Sequence, residues 1–372
     1  MPCFLHTADW QIGWQPSQLA PEDGLALAEA RLETVARIAG LARERSVAAV
    51  LVAGDVFDTQ TVSERTLRRL FNALEEYDGP WVLLPGNHDA ALAESVWTRA
   101  QRLGVVPDNV HLALTPEPIL LAEAGLAVLP APLTQRQVHE DLAAWFDQAD
   151  TDPGLVRVGL AHGSVQGILA EGVDSPNPIA ADRARRARLD YLALGDWHGL
   201  REIDERSWYS GTPEPDGFVD NRPGHLLEVD IDGPGALPRV APLAVARHRW
   251  QKRQQALTVS TDVEELARWL AELPDEAVVE LSLRGQLGLE DRSRLMERLA
   301  AAGARCRSLV VEDDQLRLLP SEEDLARLQA DGYVRQVLSE LQQAQAGEEG
   351  GEVAREALLI LAELLAGQEA AA

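Results

Sequence analysis

The chain has 372 residues and a net charge of −26 at pH 7, and 46% of its residues are hydrophobic. This length exceeds what one compact core usually covers, so we expect more than one domain. The acidity argues against a protein that coats nucleic acid by electrostatics alone, because that mode of binding depends on basic residues. With no apolar run of membrane-spanning length, no export signal and two distant cysteines, the sequence predicts a cytoplasmic protein without a membrane span.

Residues 1–250 alternate apolar strand patterns with amphipathic helix patterns. We predict strands at 3–8, 47–53, 80–84, 125–130, 155–161, 190–194 and 225–231. Apolar residues at helical spacing predict helices over 25–45 and 63–77. This alternation is typical of an α/β sandwich with helices on both faces. Strands without intervening helices, at 207–211 and 225–232, predict antiparallel pairing in the second half.

A basic segment of poor pattern, residues 247–255, marks the predicted domain boundary. We therefore expect a first domain over 1–250 and a small α/β domain over 251–320. The remaining tail, 321–372, starts with a capping-box signal at Ser321 and has the pattern of acidic amphipathic helices. Such helices cannot bury their apolar stripes alone. We expect them to dock on the coiled coil of a partner, and packing against the protein's own body is the alternative.

Five of the predicted strands end in Asp, Asn or His beside a glycine or another small residue. The five segments are HTADWQ (6–11), GDVFD (54–58), GNHD (86–89), LAHG (160–163) and LGDWHG (194–199). One polar strand end is most simply the cap of a turn. Five of them at the carboxyl edge, where α/β sheets bind ligands, predict a shared polar pocket. Carboxylates gathered there would repel one another without cations, so we interpret Asp55 as a metal ligand rather than a cap.

The order of these segments resembles the calcineurin-like metallophosphoesterases. Within that family it is most similar to the SbcD-type DNA exonuclease subunits, which work with SMC-like ATPases. The motifs that carry the resemblance cover residues 4–199, and a looser likeness extends to about residue 250. The resemblance implies a metallophosphoesterase-type β-sandwich flanked by helices. It also implies a small α/β capping domain and a helical C-terminal tail that docks on the ATPase.

The resemblance further implies two divalent metal ions with a shared ligand. The implied ligands are Asp9, Gln11, Asp55 and His198 for the first ion, and Asp55, Asn87, His162 and Asp196 for the second. Asp55 would bridge the two ions, because an anion can be shared between two dications. His88 corresponds to the family's non-ligand histidine, which stabilises charge on the phosphoryl group and protonates the leaving oxygen. A hydroxide activated by the two metals would then attack the phosphorus in line.

Two of the implied ligands depart from the family pattern. Gln11 and Asp196 stand where the family usually has histidine. Oxygen donors in place of nitrogen donors favour Mn²⁺ or Mg²⁺ over Zn²⁺ or iron. We expect Mn²⁺, with Mg²⁺ as the alternative, and weaker binding at the first site because the Gln11 amide is neutral. An enzyme slowed or inactivated by these replacements is the alternative.

The predicted function is that of a metal-dependent DNA phosphodiesterase, an exonuclease with a potential endonuclease activity. It would act in DNA repair as the nuclease subunit beside an SMC-like coiled-coil ATPase, with DNA as substrate. A phosphodiesterase or phosphatase for small substrates is one alternative, and a catalytically silent repair scaffold is another. The sequence leaves open whether the chain forms a homodimer.

Several residues near the motifs have competing interpretations. For His6, a core histidine that supports the site is favoured over a metal ligand. Asp58 and Asp89 are expected to orient the site or to cap turns, and metal binding is the alternative.

Two aromatic residues and one basic segment are similarly ambiguous. Trp10 and Trp197 are expected to pack over the sheet, and stacking on an unpaired base is the alternative. The arginine-rich segment 183–188 is expected to be a solvated helix face, with a patch that follows DNA phosphates as the alternative.

Overall fold

The computed structural model describes residues 2–16, 19–168, 176–318, 333–344, 353–354, 356–358 and 360–361. It divides the chain into two compact units, Met1–Arg249 and Trp250–Ala372. The capping box predicted at Ser321 lies outside the described residues.

The first unit alternates strands and helices in its first half and is rich in strands in its second half. Its first elements are β1 (Cys3–Thr7), α1 (Pro21–Glu44), β2 (Ala49–Val52), α2 (Glu64–Leu74), β3 (Trp81–Leu83), α3 (Val96–Arg102), β4 (Val110–Leu112), β5 (Ile119–Leu121) and β6 (Leu126–Ala131). A 3₁₀ helix (Leu142–Asp147), β7 (Val156–His162), β8 (Ser164–Val165), β9 (Pro178–Ile179), α4 (Arg183–Arg186), β10 (Tyr191–Gly195), β11 (Arg201–Asp204), β12 (Ser207–Tyr209), β13 (His225–Asp230) and β14 (Arg239–Ala244) follow. Ser63 and Ser95 begin α2 and α3 by accepting hydrogen bonds from backbone N–H groups of the first turn.

Two six-stranded sheets form the body of this unit. The first has the order β14-β13-β1-β2-β3-β4, in which β1 to β4 are parallel and β13 is antiparallel to both of its neighbours. The second has the order β11-β12-β10-β7-β6-β5, with a parallel centre and antiparallel edge strands. The antiparallel pairing predicted for the second half is confirmed by β13 and β14.

The two sheets stack face to face, with helices on their outer faces. Phe4 and Leu51 of the first sheet share a buried cluster with Val158 and Tyr191 of the second. Residues of the opposite strand faces, such as Val50, pack against α1 and α2 in a separate cluster. Since both faces of the central strands are covered, these strands are apolar without interruption. The predicted α/β sandwich with flanking helices is confirmed.

The second unit has its own core. Its elements are β15 (Arg249–Leu257), α5 (Ser260–Glu272), β16 (Ala277–Leu287), α6 (Leu289–Gly303), β17 (Ser308–Leu318) and α7 (Tyr333–Ala344). The three strands form one sheet in the order β15-β16-β17, and α5 and α6 share a buried cluster with them.

The described part of the tail packs against β17 within the second unit. Leu338 of α7 and Leu358 are buried with Leu318 of β17. This contact matches the alternative that the sequence left open, in which the apolar stripe is covered by the protein's own body. Val353 and Ile360 remain exposed.

Candidate metal centre

The predicted ligands lie on loops that turn sharply where the strands end. Asp9, Gln11, Asp55 and Asp196 have φ angles of 54°, 52°, 51° and 94°. Positive φ is uncommon for residues other than glycine, and clusters of such residues are found at functional sites. The loops after β1 and β2 run side by side, because the Asp9 and Gln11 amides donate to the carbonyls of Gly54 and Asp55, both at 3.0 Å.

Glycines allow these loops to approach one another closely. A Cβ on Gly86 would lie 2.1 Å from Asp55 Oδ1, and one on Gly195 would lie 1.9 Å from the carbonyl oxygen of Ala53. No side chain fits at such distances, so glycine is required at these two points where the strand ends converge.

One group of predicted ligands converges on the Nε2 atom of His162. This atom lies 3.1 Å from Asn87 Oδ1 and 3.6 Å from both Asp55 Oδ1 and Asp196 Oδ1. His162 Nδ1 lies 2.9 Å from the Ala53 carbonyl oxygen, which can only accept a hydrogen bond, so Nδ1 carries the proton. In the neutral ring, Nε2 therefore presents a lone pair to three oxygens. Four lone-pair donors directed at one point fit a cation, and these are the four predicted ligands of the second metal.

The other predicted ligands surround Asp9. Asp9, Asp55 and His162 are all buried, and their ligand atoms lie within 4.8 Å of one another. His198 Nε2 is 3.9 Å from Asp9 Oδ1. Gln11 lies next to Asp55, because its Nε2 donates to Asp55 Oδ2 at 2.9 Å. The structure thus brings all seven predicted ligands to one pocket, with the Gln11 amide presenting its nitrogen to Asp55.

The side chain of Asp216 holds His198 in place, and the sequence analysis missed it. Asp216 Oδ2 lies 2.6 Å from His198 Nδ1, which leaves Nε2 facing Asp9. A carboxylate behind a histidine in this way fixes the tautomer and ring orientation of a metal ligand. Asp216 is separated from His198 by too many residues for a local pattern to show the contact.

The pKa shifts reflect how acidic this pocket is without bound cations. Burial alone would lower the pKa of His162, but the carboxylates of Asp55, Asp196 and Asp9 raise it to about 9. Burial raises the pKa of Asp9, and the histidines oppose that shift. Burial would likewise lower the pKa of His198, whereas its hydrogen bond to Asp216 and the charge of Asp9 raise it to about 9. The pocket therefore attracts positive charge, as protons or as metal ions.

His88 lies at the edge of the pocket, with its Nε2 atom on the side of Asp55. Its Nδ1 lies 2.8 Å from the carbonyl oxygen of Asp58, so Nδ1 carries a proton. Its Nε2 is 4.0 Å from Asp55 Oδ2, and 31% of the side chain is exposed. The backbone N–H of His88 donates to Asp55 Oδ1 at 2.9 Å, which ties this loop to the central carboxylate.

His6 and Asp89 are buried next to the pocket and form hydrogen bonds with the strands and loops around it. His6 Nδ1 lies 2.9 Å from the Tyr191 hydroxyl and Nε2 lies 3.2 Å from the Leu194 carbonyl oxygen, so both ring nitrogens face groups outside the pocket. Asp89 accepts hydrogen bonds from the backbone N–H groups of Gly86 and Phe57 at 2.6 and 3.0 Å. Asp89 thereby shapes the GNHD loop.

The aromatic residues of the motifs differ in exposure. Trp10 is only 1% exposed and donates from Nε1 to Thr7 Oγ1 at 3.0 Å, so it packs in the core and offers no surface for a base. Trp197 is partly buried against the core of the second sheet, and the Arg201 guanidinium lies 5.8 Å from its ring centroid.

The arginine-rich segment 183–188 is largely neutralised by its own surroundings. Arg183 is buried and paired with both Asp141 and Asp147. Arg186 pairs with Asp147 at 2.9 Å. Arg185, Arg186 and Arg188 are exposed, as expected of a solvated face, whereas Arg183 points inward from the short helix α4 and forms a buried structural ion pair.

Comparison with known proteins identifies the family. The family model described as calcineurin-like phosphoesterase matches residues 4–218, and the chain belongs to this family. The crystal structure of TT1561 from Thermus thermophilus is similar, with 13% identity, a TM-score of 0.41, and coverage of 66% of this chain and 99% of that one. A second solved structure has 11% identity and a TM-score of 0.44 over 66% of this chain and all of its own. A search of the curated proteins found no match.

Family membership gives the site its general chemistry. Calcineurin-like phosphoesterases are metal-dependent hydrolases of phosphoesters, and the buried Asp9, Asp55 and His162 form a group that could hold a metal ion. Within the described part of the chain, no helix has the length and apolar character needed to cross a membrane.

Proposed function

We propose that this protein is a metal-dependent DNA phosphodiesterase of the SbcD type, with exonuclease activity and a potential endonuclease activity. The observation that carries the proposal is the convergence of five strand ends on Asp55, with His88 beside it. The order of the motifs along the chain supports the SbcD-type assignment, as does the presence of a second α/β unit, which a hydrolase of small nucleotides does not need.

In this proposal, the pocket holds two divalent cations. Asp9, Gln11, Asp55 and His198 would hold the first. Asp55, Asn87, His162 and Asp196 would hold the second. When bound, the ions would polarise the phosphoryl oxygens and lower the pKa of the attacking water. Turning the Gln11 amide by 180° would exchange its nitrogen and oxygen and allow the oxygen to serve as a ligand.

His88 is the proposed acid of the reaction. Because Nδ1 donates its proton to the carbonyl of Asp58, a proton given to the substrate would come from Nε2, the atom that faces the pocket. From there the imidazolium can stabilise charge on the phosphoryl group and donate the Nε2 proton to the leaving oxygen. The partly exposed position of this ring, in contrast to the buried His162, suits a group that must reach the substrate.

The predicted metal is Mn²⁺, with Mg²⁺ as the alternative. Five of the seven proposed ligands are oxygen donors, and only His162 and His198 offer nitrogen. Such a donor set favours the harder divalent ions. Metal analysis of active protein by anomalous scattering or mass spectrometry tests this, and stoichiometric zinc in the active enzyme would contradict it.

DNA and an SMC-like coiled-coil ATPase are the proposed partners. Since Leu338 and Leu358 are covered within the second unit, the exposed Val353 and Ile360 are the better candidates for contact with the ATPase. Replacing Val353 and Ile360 by aspartate should then weaken binding of that ATPase in a pull-down with the purified proteins, whereas replacing the exposed Leu237 of the first unit should not.

Release of nucleotides from end-labelled duplex DNA in Mn²⁺ tests the activity. Wild type should release labelled nucleotides, His88→Ala should lose the activity by about 10²- to 10⁴-fold, and a variant of the exposed His139 should behave as wild type. Comparison with bis-p-nitrophenyl phosphate distinguishes a DNA enzyme from an enzyme for small phosphodiesters. Turnover of the small ester alone would contradict the DNA assignment, and activity on neither substrate would point to a silent scaffold.

A further inference from the structure

A buried arginine lies behind the proposed metal centre. Arg31 belongs to the apolar face of α1, between Leu27 and Val35, and its side chain is only 1% exposed. Burial of an unpaired guanidinium is strongly unfavourable, so an arginine at this core position needs a negatively charged partner.

The contacts of Arg31 hold its guanidinium group close to the carboxylate of Asp216. Nη1 donates to the carbonyl oxygen of Trp10 at 2.9 Å, and the guanidinium carbon lies 4.6 Å from the centroid of the Trp14 ring. Nη2 lies 3.9 Å from Asp216 Oδ2, and neither Nη2 nor Nε has a hydrogen-bond partner. Trp10 stands between Asp9 and Gln11, so the same side chain ties the ligand loop after β1 to the carboxylate of Asp216.

Asp216 connects Arg31 to the proposed first metal site. Its Oδ2 is 2.6 Å from His198 Nδ1, and His198 Nε2 is 3.9 Å from Asp9 Oδ1. The result is a continuous row of groups from a fixed cation, through a carboxylate and an imidazole, to a proposed metal ligand.

We propose that Arg31 and Asp216 are positioning residues of the first metal site. The Arg31 guanidinium compensates the negative charge of the partly buried Asp216, and Asp216 holds the His198 ring with Nε2 directed at the metal position. This inference rests on the proposed function, because it assigns a role at the same site.

Mn²⁺ binding tests the inference without any measurement of activity. Free Mn²⁺ is followed by electron paramagnetic resonance during titration of wild type, Arg31→Met, Asp216→Asn and the double variant. Arg43→Met, which removes an exposed arginine of the same helix, is the matched control. Near-ultraviolet circular dichroism checks that each variant is folded.

The expected result is that Asp216→Asn and Arg31→Met each weaken one Mn²⁺ equivalent by about 10- to 100-fold. In the Asp216→Asn background the arginine charge has lost its partner and repels the cation, so Arg31→Met should strengthen binding there. Such a reversal of sign is the mark of two residues that act as a unit. Arg43→Met should bind Mn²⁺ as wild type does.

Other outcomes overturn the inference. If Arg31→Met lowers the melting temperature and leaves Mn²⁺ affinity unchanged in both backgrounds, Arg31 only stabilises the fold. If Arg31→Met changes the Mn²⁺ affinity by the same factor and in the same direction in wild type and in Asp216→Asn, Arg31 does not act through Asp216. If Arg31→Met does not fold, unchanged Mn²⁺ affinity in Asp216→Asn overturns the inference, and weakened affinity supports it. Wild type that binds no Mn²⁺ removes the proposed function, and this inference with it.

Discussion

Replacing His6 by glutamine tests the electrostatics directly below the metal centre. His6 is fully buried, and its ring nitrogens lie 2.9 Å from the Tyr191 hydroxyl and 3.2 Å from the Leu194 carbonyl oxygen. Burial lowers its pKa from 6.5 to about 3, although the Leu194 carbonyl opposes the shift. The folded protein therefore holds this ring neutral at pH values where the unfolded chain protonates it.

The pH dependence of the free energy of unfolding follows from the difference between the pKa of His6 in the folded and unfolded states. Because the pKa of His6 in the folded state lies below its value in the unfolded state, its contribution to stability is complete above pH 6.5. It is lost as the pH falls from 6.5 towards 3. Each pH unit in this window corresponds to about 1.4 kcal/mol. Between about pH 7.5 and pH 5, wild type should therefore lose about 2 kcal/mol more of its free energy of unfolding than His6→Gln.

Urea denaturation in EDTA at about pH 7.5, 6.5, 5.5 and 5 measures this difference without a contribution from bound metal. His162 and His198, whose pKa values are raised to about 9, contribute equally to both proteins and cancel in the comparison. His139→Gln, at an exposed position, controls for loss of a histidine. Stability curves of wild type and His6→Gln that stay parallel over this whole pH range would refute the reasoning.

Two further substitutions probe the packing of the site and of the arginine segment. Gly195→Ala places a Cβ 1.9 Å from the carbonyl oxygen of Ala53, so it should abolish Mn²⁺ binding and lower the melting temperature. Gly217→Ala is the control: a Cβ on Gly217 has no atom within 4 Å, so this variant should bind Mn²⁺ and melt as wild type does. Equal Mn²⁺ affinity of both variants would contradict the close approach of these loops. Arg183→Met removes the buried cation that pairs with Asp141 and Asp147, leaving Asp147 only its pair with the exposed Arg186, and should cost about 3–5 kcal/mol in urea denaturation. Arg185→Met, at an exposed pair, should cost less than about 1 kcal/mol. Similar losses for the two arginines would show that the buried pair is not structural.

The sequence predicts the central strands well because these strands are covered on both faces. The run that ends in β2 is apolar at every position, and the polar residue after it marks the strand end. Strands β4 and β5 were not predicted, because each has only three residues and two of the three are not fully buried, whereas the three residues of β3 are all buried and apolar. The five polar strand ends predicted a shared pocket from the sequence, whereas the set of seven proposed ligands was implied by the resemblance to the family.

The groups behind the ligands were harder to find. Asp216 meets His198 through folding of a loop, and no local spacing predicts that contact. Arg31 did leave a signal, because a charged residue occupies a position where the periodicity of α1 requires an apolar one. Such a mismatch inside an otherwise regular apolar stripe indicates a buried charge, and its partner can be identified only from the tertiary structure.

The hydrogen bonds of the three site histidines explain how the pocket can be ready for cations before they bind. In each of these rings Nδ1 donates its proton to an acceptor, which leaves Nε2 facing the pocket; the three residues are His88, His162 and His198. Two of these acceptors are backbone carbonyls, and the third, Asp216, is a carboxylate. An anionic acceptor makes the imidazole a stronger donor to a metal than a neutral one does. In the proposed first metal site, His198 would therefore offer a more basic Nε2 beside the neutral amide of Gln11, and the charge of Asp216 would offset the weakness of Gln11 as a ligand.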